Sequence, residues 1–107
     1  MDEQADTAPL APERCSSMAD VRAGVDHVDR ELVILLQRRF AYMRAAARIK
    51  TDRMAVRDEG RKAQVHANVL HVARAADVPA ELVTTLWEQL IEASIAYELA
   101  EWDRLRN

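Results

Sequence analysis

From Ser17 to Lys50 apolar residues return at three- and four-residue spacing: Met18, Val21, Val25, Val28, Leu32 and Leu35, then Tyr42, Ala46 and Ile49. That is the repeat of a helix with one buried face, and it predicts a single helix over 17–50. One position breaks the stripe. Arg39 stands where the repeat asks for an aliphatic side chain. Arg38 beside it can point to water. A guanidinium stays charged at any ordinary pH, so Arg39 on the buried face needs an anionic partner. The helix is also long for its chain. About 34 residues at roughly 1.5 Å each span about 50 Å, against a radius of gyration near about 13 Å for a compact domain of this size. A helix that overshoots its own domain must bury its stripe on something else. A second copy of the chain is the simplest candidate.

Ser17, with Asp20 three residues on, gives this helix a start of the capping-box kind. The period fails over 51–57, TDRMAVR, which reads as a connector. Asp58 is a good N-cap for a second, shorter helix to about Ala76, with Val65, Val69, Val72 and Ala76 as its inner stripe. Asp77, Val78 and Pro79 break it, and Pro79 suits the first turn of a third helix to about Leu105. The inner line of that helix is Val83, Trp87, Ile91, Ser94, Glu98, Trp102 and Leu105. Ser94 and Glu98 are polar intruders on an otherwise apolar line. Residues 1–16, with Pro9, Pro12 and scattered acids, are expected to be a flexible leader to a helical domain over 17–107. The predicted fold is all-α: long, short, long, with two copies intertwined through their first helices into a homodimer.

Half of the 107 residues are apolar and 31% are charged, as in a soluble globular chain. Only two glycines and three prolines occur, and β-branched residues nowhere alternate, so nothing points to a sheet. The formal charge is −3, and four acids before residue 17 (Asp2, Glu3, Asp6, Glu13) against Arg14 account for all of it. A neutral remainder is not built to hold nucleic acid by its general field. Cys15 is the single cysteine, which excludes an internal disulfide and a thiolate metal site. No apolar run is long enough for a membrane span and no secretory signal opens the chain, so the cytoplasm is the expected compartment. His27, His66 and His71 are never four apart, and none is taken to have an acidic partner at metal-ligand spacing, so neither metal nor cofactor is expected. There is no Gly-rich phosphate loop, and no serine or cysteine nucleophile with a credible base.

The charges that break the apolar pattern are the remaining chemistry. Arg39 and Lys50 are eleven residues apart, three turns plus about 20°, so they share a side roughly 16 Å apart along the axis. A small anion fits between two such long side chains. Arg22 lies about 42 Å before Lys50 along one helix. Only in an antiparallel pair of long helices would Arg22 of the partner subunit come to the middle of this one. Arg39, Lys50 and that Arg22, faced by Glu98 and Ser94, would form an anion pocket suited to a dicarboxylate. Each residue also has an ordinary reading. Arg22 can be a solvated helix residue, Lys50 a cation at a helix C-terminus, Arg39 and Glu98 members of an interface ion pair, Asp58 only a cap, and Ser94 a small packing residue.

Those same residues carry a likeness. Over nearly all of 17–105 the chain resembles the all-helical chorismate mutase family. The matching stretches are ADVRAGVDHVDRELVILLQRR (19–39), AARIK ending at Lys50, VRD at 56–58 with Arg61 following, and LWEQLIEASIAYE (86–98). The resemblance implies an intertwined dimer with two shared active sites. It implies that Arg39 and Arg22 of the partner subunit bind the two substrate carboxylates, and that Lys50 bridges a carboxylate and the ether oxygen. Asp58 would sit at the ring hydroxyl, Ser94 at a carboxylate, and Arg61 at the edge of the site. Glu98 falls where the family usually has glutamine, the second donor to the ether oxygen. Lys62 stands where many mutases have a glutamate that holds the ring hydroxyl.

The reaction implied is the rearrangement of chorismate to prephenate, in aromatic amino-acid biosynthesis. It requires no nucleophile, metal or proton transfer, which suits a chain without a catalytic base. Related proteins of the same fold act as isochorismate pyruvate lyases, but VRD and Ser94 look more like mutases. A third reading is a catalytically silent helical dimerisation module whose charges are interface salt bridges. It differs from the others in that Arg39→Ala would change dimer stability without loss of ligand binding.

Overall fold

A computed structural model describes residues 9–107, and no strand occurs among them. Three helices carry the fold: α1 (Met18–Ile49), α2 (Glu59–Ala75) and α3 (Ala80–Arg106). The long, short, long order is as predicted, with ends within a residue or two. Single 3-10 turns occur at Pro12–Arg14 and Arg53–Ala55. Of the leader expected over 1–16, residues 1–8 lie outside the described residues, and the first of these turns falls in the rest. The chain divides into two compact units between Arg39 and Phe40, and α1 contributes to each.

In the first unit α1 opens as its sequence requires. The Asp20 N–H donates to Ser17 Oγ (3.1 Å). The Asp20 carboxylate accepts from the backbone N–H of Ser16 (3.0 Å), one residue further back than the reciprocal bond of a capping box. The N–H of Ser16, chief among its donors, holds the Asp20 carboxyl below its usual range. The apolar stripe Met18, Val21, Val25, Val28, Leu32 and Leu35 stays 40% to 58% exposed. Leu36 at the border of the stripe, and Val33 and Ile34 on other faces of α1, are exposed too. None of the described residues up to Arg39 is buried.

The second unit packs the end of α1 with α2 and α3 around Ala47, Val56, Ala73, Val83 and Ile91. On α3 the predicted inner line holds. Val83, Ile91, Ser94 and Glu98 are buried and both tryptophans are half-buried, while Leu105 in the last turn is exposed. The α2 stripe needs correction. Ala73 is buried and Val72 is 61% exposed. The face set by Val65 and Val69 continues at position 73, and Val72 lies about 100° away from it. Asp58 caps α2, its side chain accepting from the Arg61 N–H at 3.0 Å. At the other end Val78 N–H reaches Ala73 O (2.8 Å) and Asp77 N–H reaches Arg74 O (3.3 Å), with Asp77 at φ 58°. This is a Schellman stop with aspartate in the left-handed position that glycine usually takes. Pro79 is the N-cap of α3 rather than part of its first turn, since its ψ of 120° is extended.

Candidate active site

Glu98 is 4% exposed, on the face of α3 turned to the end of α1. A carboxylate so far from water requires a counter-charge. Lys50, the first residue beyond α1, supplies it: its Nζ lies 2.7 Å from Glu98 Oε2. The separation is that of an ion pair, but the angles are not those of a hydrogen bond, and Oε2 accepts from no other described donor. Its lone pairs are therefore badly used, and the carboxyl keeps capacity for a further polar partner. One turn earlier on α3, Ser94 is 3% exposed and donates its hydroxyl hydrogen to Leu90 O at 2.7 Å. That bond turns the hydroxyl hydrogen back onto its own helix.

The backbone of Lys50 is held as tightly as its ammonium. The Trp102 indole N–H donates to Lys50 O at 3.0 Å. The Arg106 guanidinium donates to Lys50 O (2.7 Å) and to Ala47 O (3.1 Å), and stacks on the Trp102 ring at 4.2 Å. Ala47 lies in the last turn of α1 and Lys50 just beyond it, where carbonyls lack a donor within the helix and favour a cation. The connector is tied down beside them by a two-pronged bond from Arg53 to Asp103 (2.8 and 3.1 Å). Further along, Tyr97 accepts from Arg44 (2.9 Å) and meets Phe40 edge to face at 4.9 Å.

The other residues singled out in the sequence fare differently. Asp58 and Arg61 come together in the first turn of α2, where Asp58 acts as the cap and the Arg61 guanidinium donates to Gln64 at 2.6 Å. Both are exposed. Arg22 is exposed and Arg39 is half-buried, both on α1 in the first unit. Seventeen residues of helix separate them, about 25 Å along the axis, so one copy of the chain does not bring these two together. An apolar groove of about 460 Å³ in the first unit is lined by Pro9, Leu10, Pro12, Val21, Val25 and Val28 among others. Such a lining does not suit an anion, and the groove is not the site.

Sequence reading missed a ladder of alternating charge between α2 and α3. Arg57 grips Glu92 with both prongs (2.6 and 3.2 Å), and also reaches Glu59. Lys62 Nζ bridges Glu92 (2.7 Å) and Glu88 (3.0 Å), and His66 Nε2 lies 3.0 Å from Glu88. The Arg57 and Lys62 hydrogen bonds pull the Glu92 carboxyl down to about 2, and Lys62 and then His66 lower Glu88. Lys62, in turn, is raised by Glu92 and Glu88. The signal was available as two rows four apart and opposite in sign, Lys62 with His66 and Glu88 with Glu92. The histidine expectation is corrected at the same point: His66 does have an acidic partner, and His27 Nε2 lies 3.4 Å from Glu31 one turn on. No group of three or more potential metal ligands forms among the described residues, and no helix among them is long and apolar enough to cross a membrane.

The helical scaffold thus sets one buried carboxyl against one ammonium. The family model described as chorismate mutase type II matches residues 21–99, and the chain belongs to that family. It is also similar to an isochorismate pyruvate lyase of Pseudomonas aeruginosa, 32% identical over 96 residues that cover 90% of this chain and 95% of the relative. The matched range takes in Arg22, Arg39, Lys50, Asp58, Arg61, Ser94 and Glu98. One fold therefore carries two named activities, and the side chains must separate them.

Proposed function

We propose that the protein is a chorismate mutase, which rearranges chorismate to prephenate. The observation that carries this reading is the pair of Lys50 with the buried Glu98, in a chain of the mutase family. In the reaction the ether C–O bond breaks as a C–C bond forms within one molecule, so atoms and electrons balance without a co-reactant. The enzyme has to fold the enolpyruvyl arm over the ring, which is an orientation effect. It must also stabilise charge growing on the ether oxygen. In this reading Arg39 and Arg22 of the partner subunit clamp the two carboxylates. Lys50 turns from Glu98 toward a carboxylate and the ether oxygen, and Glu98, carrying a proton, donates to the same oxygen. Asp58 and Arg61 line the ring-hydroxyl edge, and Ser94 faces a carboxylate. The unburied stripe of α1 supports a homodimer with shared sites, working in the cytoplasm.

The second reading is an isochorismate pyruvate lyase, releasing salicylate and pyruvate. It is favoured by the relative from Pseudomonas aeruginosa. Incubating the protein separately with chorismate and isochorismate, then identifying products, decides between them. Prephenate from chorismate is the expected result. Salicylate and pyruvate from isochorismate, without prephenate, would replace the first reading by the second, and no turnover of either substrate removes both.

A further inference from the structure

Lys50 is gripped at two points by a single face of α3. Glu98, Trp102 and Arg106 follow one another at four-residue spacing, so they lie in one row about 12 Å long. Glu98 meets the Lys50 ammonium, while Trp102 and Arg106 hold the Lys50 carbonyl. Arg106 also ties Ala47 O and the Trp102 carbonyl, and its plane lies on the indole. Lys50 itself is outside α1, with only its N–H bonded back, to Ala46 O at 2.9 Å. The two donors from α3 are what fix its carbonyl, and with it the root of the side chain.

We propose that Trp102 and Arg106 are positioning residues, which fix the backbone of Lys50 so that its ammonium is delivered to the Glu98 side of the site. They do not touch substrate; they act through Lys50. The proposal rests on the reading of Lys50 as a substrate-binding cation. Lysine has a flexible stem of four carbons, so anchoring its backbone is the available way to limit where the charge goes. A side chain held loosely at the reacting bond costs rate even when the chemistry is intact.

Trp102→Phe keeps the ring and removes the N–H donor. Arg106→Lys keeps the charge at the helix end and removes the planar fork. Each is expected to lower kcat/KM for chorismate by roughly tenfold, with helix content unchanged. The cycle with Lys50→Ala separates positioning from general support. In the Lys50→Ala background Trp102→Phe should have no further effect on residual turnover, whereas a merely structural role would subtract again. A readout without turnover is acetylation of Lys50 by acetic anhydride, followed by peptide mass spectrometry. Pairing with buried Glu98 protects the amine, and Trp102→Phe should raise its labelling rate several-fold. If the wild type turns over substrate but both variants match it in kcat/KM, the positioning role is wrong and the proposed function stands. If the wild type turns over neither substrate, the function falls, and the labelling rate alone judges the clamp: an unchanged rate overturns it.

Discussion

Glu98 is a carboxyl at a position where an amide would donate without titrating. Its proposed role requires a proton, because an ionised carboxylate would repel the charge that grows on the ether oxygen. Glu98→Gln, which keeps a donor at this position, is therefore expected to retain turnover, whereas Glu98→Leu should lower kcat by roughly a hundredfold. A glutamine variant as inactive as the leucine one would rule out the donor role. Asp58 has two uses to separate. Its side chain caps α2, so Asp58→Ala should cost about 1 kcal/mol in urea unfolding, whereas Asp58→Asn, an equally good cap, should cost little. Loss of turnover in the asparagine variant at unchanged stability would assign the charge to substrate. Arg39 could be singled out in the sequence because a charge interrupts an apolar repeat. Trp102 could not, since an indole N–H on an apolar line gives no hint of which carbonyl it will find.

Between helices, the ladder Arg57, Glu92, Lys62, Glu88 and His66 fastens α2 and its entry to α3. Glu92 is held at about 2 instead of the ordinary 4.5, chiefly by Arg57 and then Lys62. A carboxyl depressed in the folded state adds stability above its unfolded value, and that stability is lost as pH falls through the folded one. Thermal unfolding followed by circular dichroism should therefore show a falling midpoint between about pH 4.5 and about pH 2, and Glu92→Gln should blunt it. An unchanged acid limb in the variant would mean that other carboxyls govern acid unfolding. Helix ends were legible at this scale, because caps and breakers act within a few residues: Ser17, Asp58, and the stop at Asp77 to Pro79. The α2 stripe was misjudged by one position because Val72 is apolar and Ala73 is small, and hydrophobicity alone favours the larger side chain.

At the scale of the whole molecule α1 is the helix whose apolar face is left uncovered. Six aliphatic side chains in one stripe remain about half exposed in a single chain. Full burial of each is worth roughly 1.5–3 kcal/mol, a strong drive toward a second copy. Leu32→Glu should remove about 2 kcal/mol per copy and weaken a symmetric dimer roughly a thousandfold. Sedimentation velocity across a dilution series measures this directly. The expected result is a dimer for the wild type, a monomer for the variant, and loss of turnover with the partner's Arg22. A wild type that stays monomeric would remove both the dimer and the shared site.

The sequence alone determined the number, order and approximate ends of the helices, since these follow from local periodicity and from capping side chains that bond within a turn or two. It also marked Arg39, Ser94 and Glu98 as polar groups on apolar faces. Only tertiary structure decided which groups meet: Lys50 with Glu98, Trp102 and Arg106 on the carbonyls at the end of α1, and Lys62 in a ladder with α3. Those partners are 26 to 59 residues apart along the chain. Their pairing depends on how helices pack, which no local pattern encodes.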